Sequence, residues 1–190
     1  GDWSSDVCSS DLVQTTGMGC PSAGIVFEEL AQLGARRFVR VGTCGGLLKG
    51  MRMGDTVIAM SATADDSTPL RYSGVDGFSP TATFGLIRSA ADLAAAEGST
   101  VHVGPIVTSG LFYDPDPTAF ARWKSTGHIG VEMEAAMMYT VAATHGIEAL
   151  AMMTVSDVLG DDGSTVRISD EELKRGVDAM MHIACRVAVS

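Results

Sequence analysis

The feature that most constrains this chain is the run Ile147–Ser156, in which Glu148, Thr154 and Ser156 are the only polar side chains before Asp157. An almost wholly apolar run of strand length reads as a strand buried on both faces, since a half-exposed strand would alternate. Such a strand needs helices to cover it, and its neighbours supply them. Ala135–His145 reads as a helix stopped by Gly146, while Ser169 and Glu172 have capping-box spacing ahead of Leu173, Val177, Met180 and Ala184. The same alternation fills the rest of the chain. Pro21 and Ser22 offer a helix start, with Ser22 able to cap free N–H groups, and Ile25, Phe27, Leu30 and Leu33 form an apolar stripe that stops at Gly34. Arg37–Val41 reads as a strand entering a glycine-rich turn, Gly42–Gly46, and Asp55–Met60 as a second strand. Phe84–Glu97 is helical, and Thr100–Thr108 is a strand whose Pro105 marks an edge or bulge. Residues 117–126 are expected to be helical, Ile129–Glu132 extended, and Asp66–Ser79 a surface loop. The pattern predicts an α/β fold with a mixed, mostly parallel sheet.

Composition narrows the function classes. A chain of 190 residues has room for one core but not for two ordinary domains. A formal net charge of −10 argues against binding a nucleic-acid backbone and leaves room for a local basic pocket that takes a small anion. No run approaches the roughly 18 apolar residues of a membrane-spanning helix. Cys8, Cys20, Cys44 and Cys185 lack C-x-x-C spacing, as expected of reduced thiols in a cytoplasmic protein. His102, His128, His145 and His182 lack ligand spacing, so no metal site is expected. Residues 1–12, GDWSSDVCSSDL, repeat S-S-D without helical or strand period and read as a non-native scar. The expected domain is therefore 13–190, a single unit truncated at its N-terminus. Without Asp2, Asp6 and Asp11 its charge is −7.

Ligands of α/β sheets bind at the carboxyl ends of strands, and three such ends carry unusual polar groups. In Arg40-Val41-Gly42-Thr43-Cys44-Gly45 the glycines expose backbone N–H groups, Thr43 adds a hydroxyl and Arg40 a planar cationic fork, a combination suited to phosphate. In Val131-Glu132-Met133-Glu134 two carboxylates flank a methionine. A sugar would suit both, because carboxylates accept from vicinal hydroxyls and the thioether offers a soft apolar face. An acidic residue at a helix N-terminus explains one of these glutamates well and the second less well. In Thr154-Val155-Ser156-Asp157 a buried strand ends in a carboxylate that could act as a general acid or simply cap the next loop. Leu111-Phe112-Tyr113 could wall a flat base or belong to the core. Gly17-Met18-Gly19 lacks the third glycine of a dinucleotide fingerprint, since Ser22 stands there.

Taken in order, GMGCPS, RVGTCGG, SGLFYDPD, GVEMEAA and TVSD make the chain from Val13 onward resemble the hexameric bacterial type of purine nucleoside phosphorylase. The resemblance implies a three-layer α/β/α fold with a central mixed sheet, its first strands missing here. It implies phosphorolysis of purine nucleosides to free base and (deoxy)ribose 1-phosphate, with no metal or organic cofactor and inorganic phosphate as co-substrate. Partners would be nucleoside and phosphate in a cytoplasmic homo-hexamer built from dimers, with no nucleic acid and no membrane. Carried over by position, Arg40, Gly42 and Thr43 would bind phosphate, and Met18, Met133 and Glu134 the ribose. Cys44, Gly45, Phe112, Val131, Glu132 and Ser156 would lie on the base side, and Asp157 would protonate the purine ring nitrogen. The arginine that assists this acid in relatives aligns with Leu173, beside Lys174 and Arg175 and after Arg167. Uridine phosphorylase, a nucleosidase of the methylthioadenosine type and a catalytically dead nucleoside-binding homologue are the alternative readings.

Overall fold

The computed structural model describes residues 12–159 and 165–190, with 159 and 165–167 described by their backbone alone. The scar expected at 1–12 therefore lies, but for its last residue, outside the described residues. In chain order the elements are α1 (Cys20–Gln32), β1 (Arg37–Gly46), β2 (Thr56–Ala64), α2 (Thr68–Ser73), α3 (Phe84–Ala96) and β3 (Val101–Thr108). They continue with α4 (Ala119–Ser125), β4 (Gly130–Glu132), α5 (Ala135–His145), β5 (Glu148–Leu159), β6 (Thr165–Arg167) and α6 (Asp170–Ala188).

The α/β class and the mixed pairing match expectation, but the open sheet of a three-layer stack does not. The strands follow the order β1-β4-β3-β2-β5, and β1 also pairs with β5, so five strands close into a small barrel from which β6 extends antiparallel to β5. Pairings β1–β5, β2–β3 and β3–β4 are parallel, and β1–β4 and β2–β5 antiparallel. Closure depends on the glycines read from the sequence as a turn. They continue β1 as a strand: Arg37–Cys44 pair in steady register with β5, the register shifts between Cys44 and Gly45, and Gly45 and Gly46 also take β4 as a partner. A Cβ on Gly46 would stand 2.7 Å from Met51 Sδ and 3.1 Å from Val155 Cγ1, so a side chain there would have to displace its neighbours.

β5 is the buried spine that its sequence promised, with Ala149–Val155 all inaccessible to solvent or nearly so. It is covered by α5, which is buried from Ala135 to Ala142, and by α6, which turns Met180, Ile183, Ala184 and Val187 inward. Tyr139 fixes α5 to the barrel: its hydroxyl donates to Ala59 O at 2.6 Å and accepts from Ala151 N at 2.9 Å, joining two residues paired across β2 and β5. The capping box of α6 forms, with Ser169 Oγ accepting from Glu172 N at 3.3 Å. The bulge signalled by Pro105 also forms, as a register shift between Ala59 and Ser61 of the facing strand. Two expectations are corrected. The stretch 66–79 contains the helix α2, started by Asp66 Oδ1 accepting from Thr68 N at 2.6 Å. Helix α1 begins at Cys20, so Ser22 lies inside its first turn and donates back to the carbonyls of Met18 and Gly19 instead of capping. No helix among the described residues is long and apolar enough to cross a membrane.

Candidate active site

Arg40 projects from the middle of β1 into the interior, where its side chain is 11% exposed. Its Nη2 donates to Glu134 Oε2 and lies 3.0 Å from Glu132 Oε2. The guanidinium also lies against Gly42, where a Cβ would be 3.2 Å from Nη1. Burial alone would lower the Arg40 pKa, but the Coulombic pull of Glu132 and Glu134 outweighs it and holds the cation charged, with its pKa above the ordinary value. Nη1 is buried with no hydrogen-bond partner. A fixed cation with a spare N–H is a strong donor for an oxyanion, and an orphaned N–H is costly unless something fills it.

The two glutamates divide their work as the helix-terminus argument suggested. Glu132 ends β4, and both its oxygens are engaged within the fold. Oε1 accepts from Thr108 Oγ1 at 2.5 Å and Oε2 from Glu134 N at 2.8 Å and Ala135 N at 2.9 Å, at the positive end of α5. Its side chain is 1% exposed, and these contacts make Glu132 an anchor for α5 and Arg40. Glu134 follows as the N-cap residue of α5 and reaches the other way, its Oε1 accepting from Gly19 N at 2.7 Å. That bond ties the start of α1 to Arg40 through one carboxylate. The Gly19 N–H and the Thr108 hydroxyl are site members that the sequence reading missed. Thr108 and Ser109 had a signal, two polar residues ending an apolar strand.

Asp157, which lies within β5 two residues before its end at Leu159, sits beside this cluster. Ser156 Oγ donates to Asp157 Oδ1 at 2.7 Å and lies 3.3 Å from Cys44 O. Gly45 is in register with Val131 on one side and Asp157 on the other, so these three residues lie side by side across β4, β1 and β5. The Cys44 thiol connects the two groups: burial first, then Glu132 and Asp157, push its pKa up, while Arg40 pulls it down. Cys44 is thereby an inert neutral neighbour. Thr43 is exposed, Gly42, Val131 and Met133 are half-buried, and Met18 and Phe112 stand at the solvent edge, 84% and 76% exposed. Lys174 is engaged with Asp178 at 2.6 Å, and Arg175 lines a separate surface cleft with Ser99, Thr100 and Glu172. Arg167 occupies the backbone register position opposite Asp157. The arrangement thus joins a buried cation with an unpartnered donor, a carboxylate that faces the entry to α1, and a second carboxylate near the end of β5.

Comparisons with known proteins follow the same lines. The family model described as Phosphorylase superfamily matches residues 12–188. The chain is similar to the purine nucleoside phosphorylase DeoD-type of Alkaliphilus metalliredigens, 39% identical over 178 residues covering 93% of this chain and 75% of that protein. It is 41% identical to the protein of the same name from Caldanaerobacter subterraneus subsp. tengcongensis, again over 93% of this chain and 75% of the relative. With that of Clostridium beijerinckii it shares 46% identity over 147 residues, 76% of this chain and 62% of the relative.

Proposed function

Given that the chain belongs to the phosphorylase superfamily, we propose that it catalyses the phosphorolysis of purine nucleosides. An oxygen of inorganic phosphate bonds to C1′ of the nucleoside as the bond from C1′ to the base breaks. The electron pair passes to the purine, and the products are free base and (deoxy)ribose 1-phosphate. The observation that carries this reading is the buried Arg40 guanidinium with an unpartnered Nη1 beside Gly42. A water nucleophile needs no such charge, whereas a phosphate dianion does.

In this reading Arg40, Gly42 and Thr43 hold phosphate, and Glu134, with Met18 and Met133, holds the ribose through its hydroxyls. Glu134 already links Arg40 to Gly19, so the sugar and the phosphate meet on one carboxylate–guanidinium pair. Gly45, Val131, Phe112 and Ser156, with Cys44 behind them, bound the base. Asp157 supplies the proton that the departing purine takes on a ring nitrogen, and Ser156 orients it through the 2.7 Å bond. No metal or organic cofactor has a role in this chemistry. A cytoplasmic homo-hexamer built from dimers belongs to the same reading. The test is purine release from inosine with and without inorganic phosphate; release that does not depend on phosphate overturns the proposal.

A further inference from the structure

β2 ends in a carboxylate that the site above does not use. Asp65 Oδ1 accepts from Gly110 N at 2.7 Å and Oδ2 from Ser109 Oγ at 2.7 Å, and Asp65 N donates to Thr108 O at 3.1 Å. Ser109 is itself 2% exposed, and its N–H donates to Glu132 O at 2.7 Å. With its proton given to Asp65, the Ser109 hydroxyl is left to accept from Leu111 N at 3.2 Å. Gly110 permits the approach, since a Cβ there would lie 3.1 Å from Asp66 Cβ. A chain of contacts therefore runs from Asp65 through Ser109 to the backbone of the residue before Phe112. Beyond it the loop is open: Leu111, Phe112 and Tyr113 are 56%, 76% and 89% exposed. The two rings stack edge-on at 5.0 Å, without the core around them that would set their position.

We propose that Asp65 is a positioning residue for the base side of the site, fixing where Phe112 stands by clamping the root of its loop through Gly110 and Ser109. This rests on the reading of Phe112 as a wall for the base. A carboxylate acceptor makes stronger hydrogen bonds than a neutral one, and two of them hold the root of the loop while its tip stays exposed.

The experiment compares Asp65→Ala, Asp65→Asn and Ser109→Ala with the unmodified protein by steady-state kinetics on inosine and by amide hydrogen exchange of residues 110 and 111. Asp65→Ala is expected to speed exchange at both amides and to raise KM for inosine about five- to tenfold. Its kcat and its KM for phosphate should stay within about twofold. Asp65→Asn, which keeps an acceptor for Gly110 N, should recover most of the loss, and Ser109→Ala should reproduce part of it even if Asp65→Ala does not fold. Unchanged exchange at 110 and 111, or equal losses in kcat and in both KM values, would overturn the proposal. Failure of the underlying reading looks different: the unmodified protein releases no base, or Phe112→Ala leaves KM for inosine unchanged while the Asp65 variants still alter exchange.

Discussion

At the scale of single residues, the proposed chemistry turns on how three carboxylates are placed. Glu132 and Glu134 sit two positions apart, yet the fold gives them different partners: Glu132 holds Thr108 and the start of α5, and Glu134 holds Gly19 and Arg40. The sequence showed that one of them would serve a helix terminus. It could not show which, because the Thr108 hydroxyl that completes the Glu132 shell comes from a strand distant in sequence. Asp157, by contrast, was legible as the acid that follows a buried apolar run, although β5 continues past it to Leu159. Asp157→Asn keeps the shape and the Ser156 contact but removes the transferable proton. General acid catalysis contributes about 10²–10⁴ in rate, so kcat for purine nucleosides should fall about 100-fold or more. KM should change by less than about threefold, the pattern of an interaction made in the transition state. An unchanged kcat would remove Asp157 from the mechanism.

At the scale of elements, periodicity placed most helices and strands close to where they lie, because a buried face imposes its period on the sequence. It could not reveal barrel closure. Closure is a pairing of β1 with β5 and β4, and its only local sign was a run of glycines that equally fits a turn. Glycine has a second packing role in α6. A Cβ on Gly176 would stand 2.7 Å from Thr154 Cγ2 and 3.0 Å from the Gly54 carbonyl oxygen. Gly54 is itself held to β5, its N–H donating to Val155 O at 2.9 Å. Alanine would gain about 1 kcal/mol of helix propensity, but overpacking against backbone costs about 1–3 kcal/mol. Gly176→Ala should therefore lower stability by up to about 2 kcal/mol in a denaturant titration. A rise in the midpoint would show that α6 can move off the barrel freely.

At the scale of the whole molecule, three helices are joined at the surface by Glu28 of α1. It accepts from Tyr72 Oη of α2, from Gln32 Nε2 at 2.9 Å, and stands 2.9 Å from His145 Nε2 of α5. The Tyr72 hydrogen bond first, then Gln32 and His145, hold the Glu28 carboxyl down at about 2, against an ordinary value of 4.5. Because its pKa is lower when folded than when unfolded, its contribution is fully present above pH 4.5 and is lost as the pH falls toward 2. Glu28→Gln should flatten the dependence of Tm on pH in that window relative to the unmodified protein; parallel curves would exclude the contact. The net charge of −10, which argued against nucleic acid, says nothing of the anion site. In the proposed function that site rests on the buried cation Arg40 and its unpartnered Nη1. The most direct test of the account follows pentose 1-phosphate and free purine together while inosine is turned over at rising phosphate concentration. The account predicts saturable dependence on phosphate and equal amounts of the two products. Base release at the same rate without phosphate, with free ribose in place of its 1-phosphate, would contradict it.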